Sequence, residues 1–405
     1  MHMHPTSEED SILEGDASLM ARQLMTRLQP QRWPIPLDRL PVGTVLVGGA
    51  VRDGLLNRLA EHPDLDMVVP ADALGQVRKL SQEFGGSCVV LDRDRDMARL
   101  VLGRWTIDLA RQEGDALTAD LMRRDYRINA IALTLTTEPK LVDPSGGIPD
   151  LRDQRITAIH EQNLLDDPLR LLRAIRLSAE LSMTIDQGTL EMIARHRHQL
   201  PKVAPERIQA ELLKLVQANN ADQAIHLLHS LKLIAPWSSN QPQQTFNARA
   251  LTAEEQQLAL PLARLTQLLS DQGVNDLRFS RKQIQRCLRL RAWWKRDQQQ
   301  SASTLSERER LKLHEELEED LPAFTLAWPT ERQKEWLRRW RDQDDMLFHP
   351  CTPLNGRTLQ AELGLRPGPR LGELIQHLCL ERAFGRIRSQ DEAIQCARAW
   401  MNKPL

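Results

Sequence analysis

The chain has 405 residues, 41% of them hydrophobic, and its 54 Lys and Arg nearly balance its 55 Asp and Glu, for a formal net charge of −1. This length allows two to four domains that bury their own cores without disulfides or metals. The balanced charge argues against a uniformly cationic nucleic-acid-binding surface, and no apolar run approaches the ~18 residues of a membrane-spanning helix.

The N-terminal segment is acidic and lacks the basic and apolar regions of a signal peptide. We therefore expect a disordered leader over residues 1–25 and a cytoplasmic protein. The five cysteines are scattered and form no CxxC pair, so we expect reduced thiols and no zinc site. They are Cys88, Cys287, Cys351, Cys379 and Cys396.

Residues from about 40 to 145 have the pattern of a sheet with helices. Strands are predicted at 42–47, 64–69, 89–91, 97–102 and 105–110. The last two are joined at Gly103 and Arg104 in the manner of a hairpin. After Asp150 the chain shows helical periodicity and no convincing strand. The predicted fold class is α+β, with an α/β head followed by an all-α body.

One group of residues in the head has the chemistry of a phosphate and metal site. Gly48 and Gly49 close a strand, Arg52 and Asp53 begin the next helix, and the following strand contains Asp64 and Asp66. Strand periodicity places the last two carboxylates on one face, where they repel each other unless a cation lies between them. Mg²⁺ is the natural cation, since it binds carboxylates and substrate phosphates together. The alternative is an ordinary strand–turn–helix followed by a solvated Asp pair.

Asp108 is the candidate for a third carboxylate. In the strand 105–110 the apolar residues alternate onto one face, and Asp108 falls on the other. Three carboxylates on neighbouring strands suit two-metal phosphoryl transfer, so Asp64, Asp66 and Asp108 are the predicted catalytic and metal-binding residues. The alternative for Asp108 is a plain surface position.

Several motifs in fixed order resemble those of class II tRNA nucleotidyltransferases, the family of bacterial CCA-adding enzymes and poly(A) polymerases. They are Gly48 to Asp53 with Asp64 to Asp66, Arg123 to Ala130, Asp143 to Gly147, Asp166 to Arg176 and Glu206 to Ile208. Two tail segments, 354–356 and 366–369, add to the resemblance. It implies a DNA polymerase β-like nucleotidyltransferase head over 26–150, a helical neck with the base-reading segment over 151–220, and an RNA-binding body (221–345) and tail (346–405).

The resemblance also implies which residues bind the nucleotide. Arg123 to Ala130 would contact nucleotide and ribose, and Asp167 with Arg170 would read the incoming base through hydrogen bonds. Asp166 stands where the family usually has Glu. The structural alternative for Asp167 and Arg170 is a helix cap with an ion pair one turn apart. The full predicted set is Gly48, Gly49, Arg52, Asp53, Arg124, Asp125, Asn129, Asp167, Arg170, Arg173 and Arg176.

A basic stretch from 278 to 296 contains no acidic residue. On a helix Lys282, Arg286, Arg289 and Arg296 share one stripe with Trp293, which predicts a phosphate-backbone contact surface with an aromatic side chain available for stacking. The alternative is a solvated helix face with its tryptophans in the core.

The predicted function is addition of C and/or A residues to the tRNA 3′ end from CTP and ATP, with Mg²⁺ as cofactor and pyrophosphate as leaving group. No membrane or protein partner is expected. One alternative is CC-only addition, because the connection after the Asp108 strand (111–118) is short where CCA-completing relatives have a flexible loop. A second alternative is a poly(A) polymerase, which the sequence at 155–159 disfavours. A third is a non-catalytic RNA-binding protein that keeps a nucleotidyltransferase fold.

Overall fold

The computed structural model describes residues 12–239 and 244–402. The chain divides into two compact units, the first made of the residues up to 204 together with 218–233, and the second of 205–217 together with the residues from 234 onward. The predicted boundaries at 150, 220 and 345 do not coincide with this division and stay predictions.

Seven strands of the first unit form one sheet, in the order β3-β4-β5-β2-β1-β6-β7. They are β1 (Val45–Val47), β2 (Leu65–Val69), β3 (Ser87–Asp92), β4 (Met97–Leu102), β5 (Trp105–Arg111), β6 (Ala132–Thr134) and β7 (Leu141–Val142). β2 and β5 are parallel, and the other neighbouring pairs are antiparallel. The parallel pair requires a long crossover, which residues 70–104 supply. Central strands are apolar and buried, so they hold the core of the head.

Some helices of the first unit pack against this sheet, and others pack against one another. They are α1 (Ala17–Leu28), α2 (Gly49–Leu55), α3 (Ala73–Phe84), α4 (Leu117–Met122), α5 (Gly147–Arg152), α6 (Glu161–Asp166), α7 (Leu169–Leu181), α8 (Gln187–His196) and α10 (Ala221–Ser230). α9 (Pro205–Gln217), which precedes α10 in the chain, belongs to the second unit. The α+β prediction, with an α/β head followed by helices, is confirmed.

Two expectations about this unit are wrong. Residues 12–25 of the predicted disordered leader are folded, because α1 is capped by the Asp16 side chain and buries Met20 and Leu24; residues 1–11 lie outside the described chain. Strands also occur after Asp150, since β8 (Arg155–Ile156) pairs with β9 (Thr184–Ile185). Two residues each are too few to produce a visible alternation in sequence.

The second unit is helical in its described residues. Besides α9 it contains α11 (Ala253–Leu268), α12 (Asp271–Asp276), α13 (Arg281–Gln299), α14 (Glu307–Leu317), α15 (Leu321–Thr325), α16 (Thr330–Arg341), α17 (Gly356–Leu363), α18 (Pro369–Ala383) and α19 (Gln390–Met401). Its buried aromatic residues include Trp293, Trp294 and Phe324. Within the ranges that the structure describes, no helix has the length and apolar character needed to cross a bilayer.

Candidate active site

A row of charged side chains crosses one face of the sheet. Asp66 on β2 lies directly opposite Asp108 on β5, and Asp108 lies opposite Arg99 on β4. Residues paired in this way point to the same side of a sheet. Asp64 immediately precedes β2 and is two residues from Asp66, so it shares that side. The fold therefore brings the three predicted carboxylates to one surface.

Asp66 is the electrostatically strained member of this row. Its pKa is raised to about 6 by burial and by the negative charges of Asp108 and Asp64, while Arg124 and Arg173 lower it only in part. A carboxylate in this position is short of positive charge. A divalent cation would supply that charge, so the residues present fit Mg²⁺. In the described chain, however, no three His, Cys, Asp or Glu side chains already form a closed metal-binding group.

Gly48 borders the same carboxylate. Its φ is +72°, and a Cβ atom there would lie 3.1 Å from Oδ2 of Asp66 and 3.7 Å from Nη1 of Arg124. A side chain at this position would be strained and would press on both groups. Arg124 is also paired with Asp120 at 3.5 Å. The glycine therefore keeps open the space where Asp66 and Arg124 meet.

Asp108 is bound by a residue that the sequence reasoning missed. Arg99 donates from Nε to Oδ1 at 2.7 Å and from Nη2 to Oδ2 at 2.8 Å. The sequence contained the signal, because a hairpin turning at Gly103 and Arg104 places residue 99 opposite residue 108. The metal-binding role of Asp108 stays a prediction, and both of its oxygens already have a cationic partner.

Several predicted nucleotide-binding residues form a continuous chain of buried and partly buried hydrogen bonds. Arg52 donates to Asp53 at 2.9 and 3.0 Å and to the Asn129 amide oxygen at 2.7 Å. Asn129 in turn donates to Asp125 at 3.1 Å, and Arg173 donates to the other Asp125 oxygen at 2.8 Å. Their nucleotide contacts stay predictions. In the structure their hydrogen bonds connect α2 to α7 through the segment 125–129.

Asp125 is the well-compensated carboxylate of the head. Burial by itself raises its pKa, but the positive charge of Arg173 and hydrogen bonds from Asn129 and the Tyr126 N–H hold that pKa at about 2. Arg170 adds a further positive charge. Asp125 is therefore ionised throughout the physiological pH range.

The predicted base-reading segment begins α7. Asp167 directly precedes Pro168, the N-cap residue of α7. Its Oδ1 accepts from the Leu169 N–H at 3.3 Å. Arg170 donates from Nη1 to the carbonyl oxygens of Arg123 and Asn163, each at 2.9 Å. These two bonds fix the guanidinium plane, which is what a base-reading donor requires. Arg176, further along α7, is buried and pairs with Glu180.

Asn163 and Tyr126 support this segment and were not predicted from sequence. The Asn163 amide donates to the carbonyl oxygens of Met122 and Arg124 at 2.9 and 2.7 Å. The Tyr126 hydroxyl donates to the Arg170 carbonyl oxygen. Neither residue type signals such a role in a sequence, because both partners are backbone groups distant in the chain.

The predicted basic stripe on α13 is largely paired with acidic residues. Arg286 forms three hydrogen bonds of 2.5–3.0 Å with the buried Asp320. Lys282 pairs with Glu319 at 3.2 Å and Arg296 with Glu309 at 2.6 Å. The expectation of an aromatic side chain available for stacking is wrong, because Trp293 is buried and donates to Glu316 at 2.8 Å. Arg289 is exposed; RNA binding by the four cations stays a prediction.

Comparison with known proteins identifies related domains and chains. Residues 44–157 match the poly A polymerase head domain, and residues 182–241 match a probable RNA and SrmB-binding site of polymerase A. A CC-adding tRNA nucleotidyltransferase of Synechocystis sp. is 31% identical over 402 residues, which cover 91% of this chain and 96% of the relative. An A-adding tRNA nucleotidyltransferase of Halalkalibacterium halodurans is 29% identical and covered to 90% on both sides.

Solved structures share the fold. A CCA-adding enzyme in complex with CTP has a TM-score of 0.70 at 21% identity, covering 95% of this chain and 98% of that chain. The Thermotoga maritima CCA-adding enzyme in complex with tRNA has a TM-score of 0.66 at 23% identity, covering 89% and 91%. Together with the full-length relative, the glycine, aspartate and arginine motifs show that the chain belongs to the tRNA nucleotidyltransferase family and is a nucleotidyltransferase acting in tRNA 3′-end CCA addition.

Proposed function

We propose that this enzyme adds two cytidylate residues to the tRNA 3′ end and stops before the terminal adenylate. The observation that carries this is the connection between β5 and α4, which spans only residues 112–116. In the family that the sequence resembles, completion of CCA goes with a longer flexible loop in this place. The nearly full-length Synechocystis relative is a CC-adding enzyme, which supports the same conclusion.

The short connection is also fixed to the head. The Gln112 N–H donates to the Val69 carbonyl at 2.8 Å, and the Glu113 N–H donates to Asp120 at 3.0 Å. The Glu113 carboxylate pairs with Arg123 at 2.8 Å. A short segment whose first two residues are bonded in this way has little freedom to rearrange the base-reading site from C to A. This rigidity favours one nucleotide choice.

The chain's own residues have separate roles in the proposed reaction. Asp64 and Asp66 would hold Mg²⁺, which would activate the attacking 3′-hydroxyl and neutralise phosphate charge. Gly48 leaves room for phosphate oxygens beside Asp66, and Arg124 offers them a positive charge. Mg²⁺ dependence follows from the charge imbalance at Asp66.

Base choice is assigned to Asp167 and Arg170. Cytosine presents one amino donor and two acceptors on its pairing edge, which match a carboxylate acceptor and a guanidinium donor. The fixed Arg170 guanidinium keeps the donor directions constant between turnovers.

We propose a cytoplasmic location, supported by the five free cysteines.

The test uses purified protein, Mg²⁺ and tRNA transcripts ending at the discriminator base, at C or at CC, with CTP and ATP singly and together. We expect two additions from CTP on the first substrate, one on the second, and no extension of tRNA-CC by ATP. Extension of tRNA-CC by ATP would show a complete CCA-adding enzyme. Failure to extend any substrate, with the protein folded, would contradict tRNA nucleotidyl transfer itself.

A matched pair of variants tests the role of the carboxylate. Asp66→Asn should abolish addition, whereas Asp94→Asn, which removes the same charge from an exposed turn of the same sheet, should not. Equal activity of the two variants would remove Asp66 from the mechanism.

A further inference from the structure

We propose that Arg99 binds the triphosphate of the incoming nucleotide, and that Asp108 is the positioning residue that holds Arg99 in place. The inference rests on the proposed nucleotide site and not on which nucleotides are added. It gives Asp108 a role different from the metal binding predicted for it from sequence.

The first support is the position of Arg99 in the sheet. Asp66, Asp108 and Arg99 are register partners on the neighbouring strands β2, β5 and β4. Their side chains therefore leave the same face of the sheet in one row. The negative charges of Asp64 and Asp66 both act on the Arg99 guanidinium, which places it within electrostatic reach of the catalytic carboxylates.

The second support is the way Asp108 engages the guanidinium. Only Nε and Nη2 donate to the carboxylate, so Nη1 keeps its two N–H groups for another acceptor. Among the residues that the structure describes, no protein acceptor takes them. The Arg99 side chain is 42% exposed, whereas that of Asp108 is 11% exposed. The pair thus consists of a mostly buried anchor and a cation that reaches solvent.

The third support is charge. Hydrogen bonding and the charge of Asp108, together with the charges of Asp64 and Asp66, raise the pKa of Arg99, so it is always protonated. A triphosphate approaching three carboxylates is repelled unless cations face it as well. Arg99 lies on one side of Asp66 in the sheet, and Arg124 lies beside Asp66 near Gly48. Two cations on opposite sides of the carboxylates suit a chain of phosphates.

The experiment measures binding of inorganic pyrophosphate and CTP by calorimetry, with EDTA present so that no metal contributes. Charge-assisted hydrogen bonds of this kind change affinity by about tenfold or more, so Arg99→Ala should raise both Kd values at least that much. The Kd values of Arg99→Lys should lie between those of Arg99→Ala and the wild type, because Lys keeps the charge but cannot form the paired hydrogen bonds of a guanidinium.

The matched control is Arg104→Ala, which removes the same charge from the exposed turn of the same hairpin. It should bind pyrophosphate like the wild type. If Arg99→Ala binds pyrophosphate and CTP as tightly as Arg104→Ala does, the proposal is wrong and Arg99 serves only to pair Asp108.

Binding of Mn²⁺ alone, followed by electron paramagnetic resonance, tests the role of Asp108. We expect Asp108→Asn to weaken pyrophosphate binding toward the level of Arg99→Ala while Mn²⁺ binding persists. Loss of Mn²⁺ binding in Asp108→Asn, as large as in Asp66→Asn, would identify Asp108 as a metal ligand and overturn the positioning role. Because no tRNA is used, these results stand apart from the extension assay that tests the proposed function.

Discussion

Two aspartates in the head, Asp66 and Asp125, have opposite electrostatic surroundings. Burial raises the pKa of both, but at Asp66 two further carboxylates add to this effect and the pKa reaches about 6. At Asp125 a bonded guanidinium and two N–H donors reverse it, and the pKa falls to about 2. The chain itself therefore neutralises the charge of Asp125 but leaves the charge of Asp66 uncompensated.

This difference is the one that we expect between a structural carboxylate and a metal-binding one. Asp125 ties together elements that the fold needs, so its partners all come from the chain. Asp66 is kept beside like charges, which lowers stability and is characteristic of a functional site. Both side chains are buried carboxylates, so burial and residue type do not distinguish them. They differ in the number of bonded cations and N–H donors around each carboxylate.

The sharpest test of this comparison is Asp66→Asn. The folded-state pKa is above the ordinary aspartate value of 3.8, so ionisation at pH 8 disfavours the folded state, and the substitution removes that cost. We expect activity to fall roughly 1,000-fold or more, while the free energy of unfolding at pH 8 without metal rises by something on the order of 2 kcal/mol. Extension assays and urea denaturation measure the two effects. A less stable Asp66→Asn variant would show that Asp66 is a structural residue like Asp125.

Arg173→Ala tests the other side of the comparison. It leaves the Asp125 carboxylate buried without its closest cation, so we expect a loss of about 3–5 kcal/mol of unfolding free energy. The control is Arg39→Ala, which breaks the exposed pair with Glu83 and should cost at most about 1 kcal/mol. Equal losses in urea denaturation would mean that the Asp125 network does not stabilise the head.

The pH dependence of Mn²⁺ binding follows from the same pKa values. Asp66 must lose its proton to bind a cation, and with a pKa of about 6 it is mostly protonated at pH 5 and mostly ionised at pH 7. The affinity of the metal-free enzyme for Mn²⁺ should therefore rise about tenfold between pH 5 and pH 7. Asp125 contributes nothing in this range, since its pKa is about 2. A flat profile would show that Asp66 is ionised throughout.

Much of the sheet was predictable because its strands are short, apolar and separated by clear turns. The hairpin of β4 and β5 forms at the predicted turn, and its register brings Arg99 to Asp108. That pairing was contained in the sequence, but it required counting residues across the turn. The close approach of Gly48 to Asp66 was also predictable, since a strand that ends in two glycines leaves room for a neighbouring carboxylate.

Long-range partners were not predictable. Nothing local connects Arg52 with Asn129, which are 77 residues apart, or Arg173 with Asp125, which are 48 apart. On α13 the cations were read from one helix alone, and their acidic partners come from the segment 309–320. Helical periodicity gives the face of a side chain but not what packs against that face.

The smallest expected effect concerns the cations of α13, where paired and exposed residues again differ. Arg286→Ala leaves the buried Asp320 unpaired, so it should lower the free energy of unfolding by about 2 kcal/mol with little change in tRNA affinity. Arg289→Ala changes an exposed cation and should leave stability within about 0.5 kcal/mol, while weakening tRNA binding a few-fold at low salt. Urea denaturation and tRNA titration at two salt concentrations measure both variants. If Arg286→Ala weakens tRNA binding more than Arg289→Ala at temperatures where both are folded, the paired stripe itself contacts RNA. An ion pair with an acidic residue of the same chain would then not prevent a cation from binding RNA.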